Sequence, residues 1–240
     1  MITLITTYFE DPYRLKHYIE TEFNEDIFDE FIVVDDGSPN NPAEPICRMY
    51  PEKNIRLFKV TEDIGFNSHG SRNLAMKHVQ TEWAMMIDID RKGINELSPV
   101  LDRYVRSASE NEYFIFTIDE TGETTHNDYC VRTESWWVSG GYDEEFVNMH
   151  FGDRLFIDRL NTYMKPTTIP FTIGRTRKAR KFSYSDIGIT MYPNDDEVVH
   201  PIVDNERKQY LIDKVGMRND NPNLWRNDNR IINFEWEQIL

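Results

Sequence analysis

The chain has 240 residues, with 42 acidic against 27 basic side chains and a net charge of −15. That balance argues against a surface built for non-specific nucleic-acid binding, while 39% hydrophobic and 13% aromatic residues are enough for a substantial core and exclude wholesale disorder. Cys47 and Cys130 fall in no metal-ligand spacing and no apolar run is long enough to cross a membrane. With a first strand starting almost at the N-terminus, this predicts a soluble chain in a reducing cytoplasm, without a targeting segment.

Residues 2–7 are rich in β-branched side chains and predict a first strand. Asp11 and Pro12 supply an N-cap and a first-turn proline to a helix carrying Leu15, Tyr18, Ile19 and Phe23 at helical spacing. Phe31, Ile32, Val33 and Val34 form a continuous apolar run, the pattern of a strand buried on both faces. A dense turn cluster follows at residues 35–41, beginning with Asp35 and Asp36. A short helix through Ile46 and Met49 leads to a third strand at 55–60. A glycine-containing loop then opens a helix that turns Leu74, Ala75, His78 and Val79 inward.

The fourth strand starts at Trp83 and runs into Asp88-Ile89-Asp90-Arg91. Alternation along a strand would put Asp88 and Asp90 on one side with Ile89 turned away. Two such carboxylates repel unless something positive lies between them. A hard divalent cation with open positions for phosphate oxygens is the usual answer. The plain alternative is a pair of solvated acids in a turn. Strand and helix alternating four times predict a parallel sheet with right-handed crossovers, whose ligands sit beyond the carboxyl ends of the strands. Asp35, Asp36, Asp88 and Asp90 should therefore share one rim.

The second half reads differently. Ser98 and Pro99 are expected to cap a helix through Leu101, Tyr104 and Val105. Residues 113–118 predict a strand, turned by Thr121, Gly122 and Glu123 into a partner through Tyr129, Cys130 and Val131. A helix from Asp153 buries Phe156, Ile157 and Leu160, and a further strand covers 167–173. Beyond Gly174 come a basic run at 175–181 and a helix near 205–215. The C-terminus, with Phe234 and Trp236, is too apolar to hang free and is expected to pack on the body. No repeat or linker divides the chain, so one domain is expected.

Four blocks, in order over roughly residues 1–160, resemble the GT-A glycosyltransferases, and within them family 2. Val34-Asp35-Asp36-Gly37-Ser38 is similar to the nucleotide-binding turn after the second strand. Gly65 followed by Ser71-Arg72-Asn73-Leu74-Ala75 is similar to the loop-and-helix block that holds base and ribose. Asp88-Ile89-Asp90 matches the Asp-x-Asp signature. Gly140-Gly141-Tyr142-Asp143-Glu144-Glu145-Phe146, then Gly152, Asp153 and Arg159, looks like the acceptor-side block. The resemblance implies an α/β fold of GT-A type, with a Rossmann-like, mostly parallel central sheet flanked by helices and a small antiparallel acceptor-side element. It also implies a nucleotide-sugar-binding half at 1–95, an acceptor-side half at 96–175, and a C-terminal part at 176–240 packed on the body.

The implied activity is inverting, metal-dependent transfer of a sugar from a nucleotide-diphosphate sugar, a UDP-sugar being favoured, to a glycan or other hydroxyl acceptor. A nucleic-acid acceptor is open but not favoured, and oligomeric state is open. Asp153 is the implied general base. Thr6, Asp35, Asp36, Gly65, Arg72 and Asp88 are the implied donor-binding residues. Asp90, with Asp88 and His200, is implied to hold Mn²⁺ or Mg²⁺. Trp137, Gly141, Tyr142 and Asp143 fall on the acceptor side, and Arg175, Arg177 and Lys178 on a loop that could close over the diphosphate. His150 is a further, weaker candidate. Two positions depart from the pattern: Gly152 stands where the family often has Glu, and Leu155 where it often has an acid. A non-catalytic nucleotide-sugar or glycan binder is one alternative. A sugar-phosphate nucleotidyltransferase is another, disfavoured because Thr7-Tyr8-Phe9-Glu10-Asp11 lacks the glycine-rich loop of that class. A dinucleotide-binding dehydrogenase is disfavoured because no Gly-x-Gly-x-x-Gly follows the first strand.

Overall fold

The computed structural model describes residues 1–118, 122–148, 152–176, 209–213 and 232–240. Strands β1 (Ile2–Tyr8), β2 (Phe28–Asp35), β3 (Ile55–Val60) and β4 (Trp83–Met86) lie parallel in the order β3-β2-β1-β4. Helices α1 (Pro12–His17), α2 (Glu44–Cys47) and α3 (Ser68–His78) lie between them in the chain. The connection from β1 goes one way to β2, while β4 lies on β1's other side. The crevice between the carboxyl ends of β1 and β4 is therefore the switch point at which open α/β sheets bind ligands.

Continuous apolar strands have two faces to bury, and both are buried. Leu4, Phe31, Val33, Trp83 and Met85 enter one core with Leu15 and Ile46. Their neighbours Ile5, Ile32, Val34, Ala84 and Met86 enter a second core with Leu74, Ala75 and Met76 of α3. Each Val, Leu, Ile, Phe or Met among them contributes roughly 1.5–3 kcal/mol on burial.

The sheet continues through β7 (Thr124–Arg132), antiparallel to both β4 and β6 (Glu112–Ile118). Next come β8 (Lys165–Arg175), parallel to β6, and the short β5 (Arg91–Lys92) at the far edge. This is the antiparallel element expected beside a mostly parallel sheet. At the opposite edge, β9 (Trp236–Gln238) pairs with β3, so the apolar C-terminus packs on the body as expected. Helices α5 (Thr133–Val138) and α6 (Gly152–Leu160) place Trp136, Phe156, Ile157 and Leu160 in the second core. Residues 209–213 are helical, the only part of the expected 205–215 helix within the described residues. Among the described residues no helix is long and apolar enough to cross a membrane.

Two expectations are corrected. Ser98 and Pro99 do not cap helix α4, which runs Ile94–Ser107 from a left-handed Gly93. The Glu22 carboxylate caps it, accepting from the amides of Ile94 at 2.7 Å and Asn95 at 3.4 Å. Pro99 is tolerated inside because the Ser98 hydroxyl donates to the Asn95 carbonyl at 2.8 Å, the acceptor that a residue-99 N–H would have served. Second, Asp88 and Asp90 do not share a side by strand alternation. Strand β4 ends at Met86, and the pair sits in a turn closed by the Arg91 amide donating to the Asp88 carbonyl at 3.0 Å.

Candidate active site

A cleft of about 730 Å³ opens at the β1/β4 switch point. Strand β1 brings Thr7 and Tyr8 to its wall, the turn after β2 brings Asp36, and the turn after β4 brings Asp88 and Asp90. Arg72 comes from α3, Asn127 from β7 and Asp153 from α6. Asp36, Arg72, Asp88, Asp90 and Asp153, separated by up to 117 positions in the chain, thus face one space.

The two aspartates after β2 have different positions. Asp35 accepts from the amides of Ser38 at 2.9 Å and Ala43 at 2.8 Å, is buried, and does not line the cleft. Its carboxylate ties down the turn. Asp36 lines the cleft and accepts from the Asn67 amide and the Ser71 hydroxyl, both at 2.8 Å. Burial pushes its carboxyl up to about 7 against those two hydrogen bonds.

The acid pair after β4 is already neutralised in part by protein cations. Asp88 accepts from Arg72 Nη2 at 2.6 Å, Arg91 Nη2 at 3.3 Å and Asn127 Nδ2 at 3.1 Å, while its amide donates to Asp128 at 3.0 Å. Arg91 Nε also donates to the fully buried Asp128 at 2.7 Å. Burial raises the Asp128 carboxyl to about 6, with the Asp88 charge adding to the rise and Arg91 opposing it. Asp90 keeps more freedom. Its Oδ1 lies 3.2 Å from Arg91 Nη1 without a hydrogen bond, and its side chain is 30% exposed to the cleft. Burial raises the Asp90 carboxyl, with Arg91 the first of the charges opposing the rise.

No group of three or more His, Cys, Asp or Glu among the described residues is arranged to hold a metal ion alone. Magnesium and manganese do not require one, since one or two carboxylates with substrate phosphates and water complete their shell. Asp90, whose side chain lines the cleft and is 30% exposed, fits that role, with its Oδ1 buried against Arg91. Asp88, engaged by three donors, fits it less well.

Family-model comparison matches residues 3–187 to "Glycosyl transferase family 2". The chain belongs to glycosyl transferase family 2. No curated protein matches it. Among solved structures it is similar to S. aureus TarS 1-349, at TM-score 0.60 and 16% identity over 73% of this chain and 60% of that one. The same fragment in complex with UDP-GlcNAc gives TM-score 0.62 and 14% identity, over 75% and 59%. With UDP the values are 0.60 and 15%, over 78% and 62%. At such identities the likeness shows the fold, of GT-A type, and the chain spans about 60% of the length of the TarS fragment.

Other family-pattern residues lie behind the cleft wall. Thr6 is buried and donates to the Ile87 carbonyl at 3.0 Å, tying β1 to the chain leaving β4. Gly65 has φ +87°, and a β-carbon there would lie 2.2 Å from Asn148 Oδ1, so the loop needs glycine for both conformation and space. Tyr142 is buried, its hydroxyl 2.8 Å from that of Tyr129 and 3.3 Å from Arg72 Nη1. The Gly141 carbonyl accepts from Arg159, and Asp143 caps the short 3₁₀ turn Glu144–Phe146. Trp137 packs edge-on against Trp136 in the second core. Expected on the acceptor side, Trp137, Gly141, Tyr142 and Asp143 are not among the residues lining the cleft. The bond from Arg159 to the Gly141 carbonyl ties this block to α6, the helix that carries Asp153.

Asn73 binds this block to α3. It donates to the Tyr142 carbonyl at 3.0 Å and to Glu144 Oε1 at 2.7 Å, and accepts from the Tyr142 amide at 2.9 Å. The departures from the family pattern have spatial reasons. Gly152 packs against His69 and Phe146, and Leu155 is buried with Phe146 and Leu211. Arg175 pairs across the sheet with Arg91 at the Asp90 end of the cleft, and its charge reaches Asp90. His150, Arg177, Lys178 and His200 lie outside the described residues.

Sequence reasoning missed Arg14, His69, His126 and Asn127 as wall residues, and the Arg91–Asp128 pair beneath. Arg14 donates to the Thr176 carbonyl at 3.3 Å, while the Thr176 amide donates to the Asp90 carbonyl at 2.7 Å. Arg91 carried a signal, being a charged residue next to the acid pair. Arg14, on a surface helix, carried none.

Proposed function

We propose that this family 2 member transfers a sugar from a nucleotide-diphosphate sugar, with a UDP-sugar favoured, to a hydroxyl acceptor, with inversion and with Mn²⁺ or Mg²⁺ bound. What carries this reading is the convergence of Asp36, Arg72, Asp90 and Asp153 on the switch-point cleft. UDP-GlcNAc and UDP are the ligands of the TarS structures of the same fold.

In this reading Asp36 accepts hydrogen bonds from the base or ribose. Arg72, fixed by Asp88 and Tyr142, presents a guanidinium toward the nucleotide. Asp90 would hold the divalent ion, with Asp88 kept beside it by the two arginines. Bound there, the ion supplies Lewis-acid stabilisation of the leaving diphosphate. Asp153 takes the proton of the acceptor hydroxyl as its oxygen bonds to the anomeric carbon and the bond to the nucleoside diphosphate breaks, a single displacement that inverts. We place the enzyme in the cytoplasm, a setting supported by Cys47 and Cys130, both buried and unbridged.

The test is a thermal-shift panel of nucleotide-sugars with and without Mn²⁺. A donor with affinity for the native state raises the melting temperature by mass action. The expected result is a metal-dependent shift with one UDP-sugar, and slow release of UDP when it is incubated with the enzyme. No shift with any nucleotide-sugar overturns the proposal. A shift without any UDP release marks a binder that lacks the chemistry.

A further inference from the structure

Arg91 lies beneath the cleft wall, and the reading above uses it only to keep Asp88 in place. Its side chain is 2% exposed. Each guanidinium nitrogen faces a different carboxylate: Nε faces Asp128 at 2.7 Å, Nη2 faces Asp88 at 3.3 Å and Nη1 faces Asp90 at 3.2 Å. The first two are hydrogen bonds. The third is not, since Arg91 Nη1 and Asp90 Oδ1 are both buried without a hydrogen-bond partner. The Asp90 carboxylate is thus held by charge alone, while its backbone carbonyl accepts from the Thr176 amide and hydroxyl.

Arg72 lies on the other side of Asp88 at 2.6 Å. Three carboxylates facing two guanidiniums leave one net negative charge in this cluster. Arg14 and Arg175 act on Asp90 as well. A divalent cation entering by itself would reverse the sign of the cluster next to a fixed guanidinium. Entering with a diphosphate, it would not.

Building on the proposed donor chemistry, we propose that Arg91 is a resident counter-cation of the acid pair that weakens binding of a lone divalent metal, leaving the nucleoside diphosphate to supply the missing affinity. It keeps Asp88, Asp90 and Asp128 together before any ligand arrives and repels a lone divalent ion. The diphosphate supplies the negative charge that lifts this opposition. Metal and nucleotide then bind with strong positive coupling, and linkage requires the coupling to be equal in both directions. Arg91 is a positioning residue here, because it acts through Asp88 and Asp90.

The experiment is a titration of free Mn²⁺ followed by electron paramagnetic resonance, with and without saturating UDP, on the full chain and on Arg91→Lys and Arg91→Gln. The wild type is expected to bind Mn²⁺ at least tenfold more tightly with UDP than without. Arg91→Lys keeps the charge and should keep the wild-type Mn²⁺ affinity. Arg91→Gln keeps a hydrogen-bond donor and removes the charge. It should bind Mn²⁺ alone at least tenfold more tightly than the wild type, the lower bound being the removal of a unit charge beside a divalent ion under full water screening. With UDP bound its Mn²⁺ affinity should also rise, because the charge on Arg91 acts on the ion in both states. Should Arg91→Gln not fold, Arg91→Gln/Asp128→Asn removes the buried pair without changing the net charge of the cluster, and should shift in the same direction by less, because it is Arg91 that faces Asp90 directly. A folded neutral variant whose Mn²⁺ affinity is unchanged or weaker overturns the role of Arg91. A wild type that takes up neither UDP nor Mn²⁺ overturns the donor-binding reading beneath it.

Discussion

The imidazole Nε2 of His69 lies 2.8 Å from where a β-carbon on Gly152 would sit. His69 is 3% exposed, with ring centroids 5.3 Å from Tyr142 and 6.2 Å from Phe146, so it has little room to give way. The first turn of α3 and the first residue of α6 therefore share one volume, directly before Asp153. Glycine in a helix ordinarily costs about 0.5–1 kcal/mol relative to alanine, and relieving that would favour Gly152→Ala. Overpacking costs about 1–3 kcal/mol and should win. Gly152→Ala is expected to destabilise the chain in urea unfolding, and His69→Ala in the same chain should recover part of the loss. Simple additivity of the two changes would show that the volume is not shared.

Asp90 and Asp153 line the same cleft but are assigned separate steps, so their variants should separate. Asp90→Asn should remove the Mn²⁺ dependence of UDP binding while leaving metal-free UDP binding in place. Asp153→Asn should keep UDP and Mn²⁺ binding and slow transfer by about 10²–10⁴-fold, the usual worth of a general base. Calorimetric titration with UDP beside a single-turnover assay checks both. Loss of UDP binding in Asp153→Asn would remove it from the chemical step.

Asp36 predicts a pH signature. Burial raises its folded-state carboxyl from 3.8 to about 7. The folded state therefore holds this proton more tightly than the unfolded chain. The stability linked to it is fully present below about pH 4 and is lost as pH rises through about 7. Asp128, raised to about 6, contributes with the same sign. Unfolding free energies measured from pH 4 to pH 8 should fall less steeply in Asp36→Asn than in the wild type. Parallel curves would mean that Asp36 ionises in the folded chain as it does in water.

Asn73 joins the two family blocks through three hydrogen bonds, two of them to the backbone of the buried Tyr142. Asn73→Ala leaves that amide and carbonyl unpaired, a loss of about 2–4 kcal/mol for two buried groups. Asn73→Asp should be worse, because it can no longer donate and faces the Glu144 carboxylate. Urea midpoints of the two variants give the order, and Asn73→Asp matching the wild type would contradict this account.

The sheet was legible because its signals are local. Phe31-Ile32-Val33-Val34 reads as a strand with both faces covered, and its residues divide between the two cores as a period of two requires. The rim expected for Asp35, Asp36, Asp88 and Asp90 followed from chain direction alone, and all but Asp35 line the cleft. The helix start at Ile94 was not legible, because its cap is supplied by Glu22, 72 residues earlier in the chain.

The acceptor-side block shows the limit of motif reading. Gly141, Tyr142 and Asp143 match the pattern, yet a motif records which residues recur and not whether they touch solvent. Tyr142 lies under Arg72 with its hydroxyl committed to Tyr129.

By itself the sequence determined the parallel α/β sheet, the family, and the carboxylates that end its strands, because each is written in neighbouring residues and in the alternation of apolar runs. Only the tertiary structure decided that Arg91 reaches three carboxylates at once, that His69 fills the space Gly152 leaves, and that Asp35 turns inward while Asp36 faces the cleft. Those outcomes depend on distances between segments far apart in the chain, which packing fixes and no local pattern encodes.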